Sequence, residues 1–504
     1  MVSLLSTPPR SRRRLVALAA AAAALLAGCT VGPDYVRPAV ETPAAWKETG
    51  PWKPAQPQAA DSQAPWWEAY GDSTLNTLEQ QANAANQTLR VAEAQYRQAA
   101  ALADAARAGF FPTVGVNGGI SRARSNTNGS LRQATARTVG FTASWAPDLW
   151  GAVRRSVEAG TDATDASADD LAGARLSIQT TVAQDYLQLR IIDRQRDLYA
   201  ATVTAYTRAL ALVQAQYNAG TALRSDVALA QSQLKTAQAQ GVDLDASRAQ
   251  LEHAIAVLTG RPPAAFSLPP ALAGHPFEAR LPAAPAMLPS DLLQRRPDIA
   301  AAERRAAQAN ANIGVAKAAY YPSLGLSASG GFASPAMSTL FDTPSRVWSL
   351  GAVLAETLFD GGLRKARTAQ AVAAYDAAAA QYKQTVLNGF AQVEDNLSAL
   401  RILADEAVYQ ADAVEAAQLA ERLALVQYRA GSATYLSVVT AQTLSLTNQR
   451  TAVQLLGRQL NASVGLVAAV GGGFTAAPAS SGGSPVGAAP ATDTVAESSR
   501  KPTP

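Results

Sequence analysis

Few side chains in this 504-residue chain have the chemistry to do more than pack or solvate. The single cysteine, Cys29, follows Leu26-Ala27-Gly28; small residues there let a peptidase reach the backbone, and a thiol at the cut can carry a diacylglycerol thioether. Histidine occurs twice. His253 lies between Glu252 and Ala254 in a helical stretch and His275 in a proline-rich one, so neither sits at metal-ligand spacing. One cysteine cannot form a disulfide framework. Nucleophile elbows and phosphate-binding loops are missing, since Gly471-Gly472-Gly473 runs into a Gly, Ala, Pro and Ser tail and not into a helix. The sequence therefore offers no catalytic residues, no cofactor and no metal site, and its function must come from shape.

The formal net charge of +4 comes from the N-terminus, where Arg10, Arg12, Arg13 and Arg14 stand among no acids. Without residues 1–28, 39 basic side chains face 39 acidic ones, and nothing points to nucleic acid. Leu15–Leu26 is an apolar run of 12 residues, too short for a membrane-spanning helix, which needs about 20. Together with Gly28-Cys29 this resembles a bacterial lipoprotein signal, residues 1–28 being removed and Cys29 becoming the lipidated first residue. An ordinary secretory signal is the alternative. Thr30, where an aspartate would retain the protein at the inner membrane, by the same resemblance favours the outer membrane.

The elements that could make a shape are written twice. Phe110-Phe111-Pro112-Thr113-Val114-Gly115 matches Tyr320-Tyr321-Pro322-Ser323-Leu324-Gly325 at an offset of 210, as Leu149–Arg155 matches Phe359–Lys365. Gln216–Thr221 matches Gln427–Ser432 at 211, and Ala92-Glu93 matches Ala302-Glu303 at 210. A tandem duplication of a unit near 200 residues follows, too long for a solenoid repeat. The spans are an N-terminal lipid-anchored and equatorial segment 29–85, repeats at 86–260 and 290–470, a proline-rich connector 261–289 and a disordered tail 471–504.

Each repeat reads as helix, hairpin, very long helix and returning helix. Alternation predicts strands near 113–122, 137–146, 323–332 and 347–356, with a polar loop from Arg122 to Ala136. Val114, Val116, Ile120, Val139, Phe141 and Trp145 form one face of the first hairpin, and Leu324, Leu326, Trp348, Leu350 and Leu354 one face of the second. The opposite faces carry small Ser, Thr, Gly and Asn instead of the charges of a soluble sandwich. That suits strands apolar toward lipid and polar toward a lumen, with Trp145 and Trp348 at the interfaces. Hairpins of helices then span about 150–260 and 360–468, opening with breaker-free runs Val153–Tyr217 and Leu363–Tyr428. Ile178, Val182, Asp185, Leu189, Ile192, Arg196, Tyr199, Val203, Tyr206, Leu210, Val213 and Tyr217 follow a heptad seam in which ten of twelve are apolar. In the second repeat Phe390, Val393, Leu397 and Leu400 are the clearest part. Asn218-Ala219-Gly220 and Arg429-Ala430-Gly431 read as helix ends before the returns Arg224–Leu258 and Tyr435–Val467.

The fold class is thus mainly α with a membrane β-barrel, and four strands cannot close one. Two chains would give eight strands around a filled lumen and three would give twelve around a channel; periodicity alone does not choose. A non-pore coiled-coil spacer would need no amphipathic strands.

Gly28-Cys29-Thr30-Val31-Gly32-Pro33-Asp34-Tyr35 with Pro38, Trp66-Trp67, Gly71-Asp72 and above all Leu292-Leu293-Gln294-Arg295-Arg296-Pro297-Asp298-Ile299-Ala300 resemble the TolC-like outer-membrane factors of the NodT-type lipoprotein branch. Asn312–Ala316 and Tyr320–Ser323 continue the likeness, which covers about residues 26–474. It implies a homotrimer with a twelve-stranded barrel and an α-helical periplasmic tunnel. It also implies docking on a periplasmic adaptor (membrane fusion protein) and an inner-membrane pump, for efflux of drugs or other small molecules. Export of proteins by a type I system is the alternative, which the Cys29 anchor disfavours. The resemblance places gate and adaptor docking at the tunnel tip: Gly220, Thr221, Arg224, Asp226, Arg429, Gly431, Ser432, Tyr435 and Leu436. There a ring of Leu436 would exclude water, and Asp226 or Arg429 would pair across helices. Thr440 stands where relatives often carry Asp before Ala441-Gln442, which removes an acidic constriction at that level.

Overall fold

A computed structural model describes residues 30–48, 65–127, 130–270, 281–282 and 295–472. Cys29, the signal and the tail after 472 lie outside them. The elements are α1 (Ser73–Ala85), α2 (Gln87–Arg107), β1 (Thr113–Thr127), β2 (Ser130–Trp145), α3 (Ala152–Asn218), α4 (Arg224–Leu258), α5 (Pro297–Ala318), β3 (Ser323–Ser334), β4 (Arg346–Ala355), α6 (Leu363–Arg429) and α7 (Tyr435–Ala469). Among the described residues no helix is long and apolar enough to cross a membrane.

The four strands form one antiparallel sheet in the order β1-β2-β3-β4, the β2–β3 pair joining the two repeats. Register puts the predicted apolar residues on one face. Val116 lies opposite Phe141, Val139 opposite Phe332, Ala328 opposite Leu350 and Leu324 opposite Leu354. Among the described residues no helix covers that face: Val116, Ile120, Leu350 and Trp348 are exposed, the last at 77%. Across the other face Thr113 and Ser144 share a 2.7 Å hydroxyl hydrogen bond, and Ser329 and Ser349 one of 3.1 Å. The first hairpin corrects the sequence reading. Of the polar loop predicted for Arg122–Ala136, residues 122–127 and 130–136 are ladder, with Arg122 paired to Thr135 and Asn126 to Leu131. Polarity there marks strand that runs on into water, because backbone pairing does not depend on which side chains alternate.

The long helices α3 and α6 have 67 residues each, which at ~1.5 Å per residue is about 100 Å. Along the α3 seam Val182, Leu189, Ile192, Tyr199, Tyr206 and Val213 are buried, as are Phe390, Val393 and Leu397 of α6. The seam's two polar positions are half-buried Asp185 and Arg196, which pairs with Asp245 of α4 at 2.6 Å, and Tyr217 at the seam's end is 40% exposed. The widest core surrounds the middle of α3, where Tyr186, Leu187 and Ile191 are buried beside the heptad residues. The turn Trp66–Tyr70, α1, and Leu268 of the connector close over them.

The connector therefore begins as part of the core. Arg248 donates to the Leu268 carbonyl (2.6 Å) and to buried Asp193 (2.8 Å), while Arg190 donates to Asp193 (3.1 Å) and to the Pro269 carbonyl (3.0 Å). Each repeat also closes on itself through one joint. In the first, the Asn86 side chain caps α2 and donates to the Leu258 carbonyl at the end of α4 (2.8 Å). In the second, Arg296, 210 residues on, forks onto Asp298 and donates to Gln392 (2.8 Å) and to the Ala469 carbonyl at the end of α7 (2.9 Å). A cation on the last carbonyls of a helix also meets the negative end of its dipole. Glycine ends both joints in the left-handed region: a Cβ on Gly260 would lie 2.5 Å from the Ala85 carbonyl oxygen, and one on Gly471 would lie 2.4 Å from that of Arg295.

Residues 30–48 form a strap laid along the helices. Val31 donates to the Trp150 carbonyl (3.1 Å), buried Arg155 reaches the Val31 carbonyl and Asp34, and Asn310 donates to the Pro33 carbonyl (3.0 Å). Further along, Arg37 bridges Glu303 (3.2 Å), Trp46 meets Phe390 edge-on, and Arg401 pairs with Glu48 (2.9 Å).

One carboxyl sits in this core without a partner. Glu79 of α1 is 0% exposed, neither oxygen has a hydrogen-bond partner, and burial pushes its pKa up to about 9 from 4.5. A folded-state pKa above the unfolded one means that the native state holds the proton more tightly. Stability is therefore full below about pH 4.5 and falls as pH rises toward 9. Glu79→Gln is expected to raise the melting temperature at pH 8, by on the order of a few kcal/mol of stability, and to flatten its pH dependence between 5 and 9. Melting curves of the detergent-solubilised protein check this, and a parallel pH profile for the two proteins would refute it.

Candidate functional site

Three levels of the molecule bear on passage through it: the sheet, its junction with the helices, and the far tip of the helical hairpins. At the junction the strands continue into helices without a domain break. Phe110 and Phe111 precede β1, and Tyr320 and Tyr321 precede β3. Trp145 donates to the Phe110 carbonyl (3.1 Å), while Trp150 donates to the Pro322 carbonyl (2.7 Å) and stacks on Tyr321 at 4.9 Å. The aromatic collar of the first repeat is thereby bonded to that of the second. Phe111, Leu358 and Phe359 at the same level are exposed. Amphipathic rings gathered at one end of an apolar band are what a membrane–water interface favours.

Below the junction the two hairpins α3–α4 and α6–α7 run side by side. A groove of about 560 Å³ opens between them, with Tyr199, Tyr206, Gln233, Thr443 and Arg450 on its walls. Burial pushes the Tyr206 hydroxyl up to about 12, with Glu421 adding to the shift.

At the tip each long helix ends in the same turn. Gly220 (φ 79°) and Gly431 (φ 75°) are left-handed, and Thr221 N–H returns to the Gln216 carbonyl as Ser432 N–H does to that of Gln427, both at 2.9 Å. The hydroxyls of Thr221 and Ser432 repeat the bond to the same carbonyls. Val213, Val227, Ala230, Tyr435 and Val438 form a small core that holds the two hairpins together. Tyr428 donates to Gln216 across the hairpins and packs on Tyr435 with ring centroids 5.3 Å apart. Burial, with Tyr428 and Asp226 nearby, pushes the Tyr435 hydroxyl up to about 12.

The tip residues singled out in the sequence thus divide into two sets. Tyr435 is structural and buried, and Asp226 accepts from the Leu223 N–H (3.2 Å), spending its charge on the start of α4. Among the described residues no ion pair joins Asp226 to Arg429 within the chain. Gly220, Thr221, Arg224, Arg429, Gly431, Ser432 and Leu436 are exposed, Leu436 at 57%. Thr440 is exposed too, and its hydroxyl donates back to the Leu436 carbonyl (2.9 Å). Sequence reasoning missed Leu223, an exposed apolar residue (69%) beside Arg224 that offers the tip a second greasy contact. Its signal was a leucine in a turn, where a polar cap is the usual choice.

Comparison with known proteins agrees with this geometry. The family model described as outer membrane efflux protein matches residues 78–261 and 288–472. The pyoverdine export outer membrane protein OpmQ of Pseudomonas aeruginosa is 31% identical over 460 residues, spanning 89% of this chain and 95% of that one. Among solved structures, the outer-membrane channel OprN superposes with a TM-score of 0.82 at 29% identity, over 88% of this chain and 99% of its own. The open-state MtrE outer membrane channel of Neisseria gonorrhoeae gives 0.78 at 27%, over 89% and 99%. The chain belongs to the outer membrane efflux protein family: it is an outer-membrane efflux channel with a helical tunnel on the periplasmic side, and not an enzyme.

Proposed function

We propose that three copies of the chain close a twelve-stranded barrel continuous with a tunnel of helical hairpins, and that this homotrimer is the exit duct of a tripartite pump for drugs or other small molecules. One observation carries the reading. The four-stranded sheet has an exposed apolar face and a small-residue polar face, and its edge strands β1 and β4 each keep one side unpaired. Eight strands would fill their own lumen; twelve leave a passage. Reconstitution of the mature protein in a planar bilayer is expected to give stable single-channel conductance, and native mass measurement a trimer. A water-soluble monomer with the sheet folded in buffer would end the idea.

The pump and adaptor would meet the chain at the hairpin tips. Exposed Leu223 and Leu436, flanked by Arg224 and Arg429, offer an apolar patch with a basic rim to an adaptor. With Asp226 engaged at its own helix end, the closed state would rest on Leu436 packing around the axis. Leu436→Ser is expected to leave the trimer intact and to favour the open state about tenfold, from roughly 1.4 kcal/mol of lost apolar burial. Unchanged conductance would remove Leu436 from the gate.

Cys29 would carry the lipid. Support comes from its neighbour: Thr30 lies against Gly151, next to the Trp150 of the aromatic collar, so acyl chains on the preceding residue would enter the bilayer where the strands end. Buried chains contribute ~0.8 kcal/mol per CH₂. Cys29→Ala is expected to preserve trimers and conductance while weakening membrane retention in fractionation and export in cells. Identical fractionation would show that the barrel alone anchors the protein.

A further inference from the structure

The end of the sheet away from the helices carries a charge that no ion pair among the described residues neutralises. Residues 113–145 and 323–355 hold five arginines and a single acid, Asp342. Alternation from Val114, Val116 and Ile120 brings Arg122 and Arg124 to the apolar face. Arg137 lies opposite Ile120, and Arg346 lies opposite Phe332, which itself faces Val139, so both share that face. Arg122, Arg124 and Arg346 are exposed and Arg137 is half-buried, giving one of its N–H groups to the Pro335 carbonyl.

Their height is equally consistent. From Val114 to Arg122, from Trp145 to Arg137 and from Leu354 to Arg346 is in each case eight residues, about 27 Å along a strand. Trp348 stands two residues inside Arg346 on the same face, so the arginines sit just beyond the apolar band. Arg122 and Arg137 occupy diagonal positions across the β1–β2 pair, where like charges repel unless an anion lies between them. A neighbouring copy would bring the same five arginines and one acid, so closing the barrel would not neutralise the rim.

We propose that this outward-facing arginine rim binds phosphate-bearing lipid headgroups of the outer leaflet, the guanidinium forks gripping phosphate oxygens in pairs. The inference rests on the sheet facing lipid, as in the barrel proposed above. Arginine matches phosphate geometry with two parallel N–H donors, and such charge-assisted bonds are stronger than neutral ones. The site faces lipid and not the lumen, which separates it from the export path.

The test uses the full mature protein in phosphatidylcholine vesicles doped with either diphosphoryl lipid A or its dephosphorylated form, with bound lipid counted by native mass spectrometry. The native protein is expected to prefer the diphosphoryl form at least about tenfold, and a variant with Arg122→Gln, Arg137→Gln and Arg346→Gln to lose that preference while conducting normally. A second variant, Arg122→Gln with Arg124→Gln, spares the Arg137 contact to Pro335 and is expected to lose part of it. A conducting triple variant with undiminished preference would overturn the proposal. So would displacement of the lipid by an equal concentration of inorganic phosphate, which would make the site one for free anions. Failure of the native protein to conduct would instead strike the barrel on which the inference stands.

Discussion

Hydrocarbon offers a backbone no hydrogen-bond partners, and this constraint governs the rest of the structure. Each N–H or C=O left open in lipid costs several kcal/mol, so a sheet there must close. One chain supplies four strands with two open edges, β1 and β4. The interior strands also approach too closely for side chains at places on the polar face: a Cβ on Gly331 would lie 2.2 Å from the Val139 carbonyl oxygen. Faces, edges and glycines all fit a sheet completed by other copies of the chain. In the proposed barrel, folding and assembly would be one process, because a lone sheet would expose both its apolar face and its edges.

The second demand is to pass from a sheet to a helical tunnel without a seam. The duplication meets it at one level. In each repeat an aromatic pair and a proline end the short helix and start the strand, and the collar is tied across repeats by the Trp150–Pro322 bond and the Trp150–Tyr321 stack. In the second repeat Arg364 adds a guanidinium over the Tyr320 ring at 5.4 Å, held by Asp360 at 2.7 Å. The strap of residues 30–48 starts at this collar and runs down over α5 and α6, so it couples the membrane end of the chain to the middle of the tunnel. Its Gly32, at φ 113°, lies so close to Gly314 that a Cβ would be 2.5 Å from that residue's Cα.

Much of this was legible because it is periodic. Strand faces repeat every two residues and the α3 seam every three or four, and the pattern of each is imposed by what lies opposite. The helix ends at Gly220 and Gly431 were legible because only a left-handed residue ends a helix that way. What escaped was either non-periodic or polar. The ladder beyond Arg122 looks like a loop because no apolar face reports on strands in water. The strap has no regular structure, so its bonds from Arg155, Asn310 and Arg37 left no local signal. Arg296-Pro297-Asp298 stood out as a motif, yet its work is mechanical: it locks α5 to the end of α7 across 173 residues. Glu79 was invisible as an orphan because a glutamate is by type read as solvated, although its place four residues after Leu75 puts it on the buried face of α1.

The tip shows how a duplicated chain could form a tunnel whose neighbours are not all equivalent. Gln216 and Tyr217 correspond to Gln427 and Tyr428, and Val227 corresponds to Val438. Within the chain only one of the two related contacts is made: Tyr428 reaches Gln216, while Tyr217 stays 40% exposed and Gln427 is exposed as well. Under threefold closure the second hairpin of one copy would lie beside the first hairpin of the next, and there Tyr217 and Gln427 would have the chance to make the missing bond. The repeats diverge where that second contact would differ from the first. Arg224 and Ser225 in one repeat become Tyr435 and Leu436 in the other, so a cation gives way to a buried ring and a hydroxyl to an exposed leucine. Two chemically different seams would then alternate around the tip. The one inside the chain, cored by Tyr435 and Val438, would be the firmer, and the one between copies, without that ring, the easier to part.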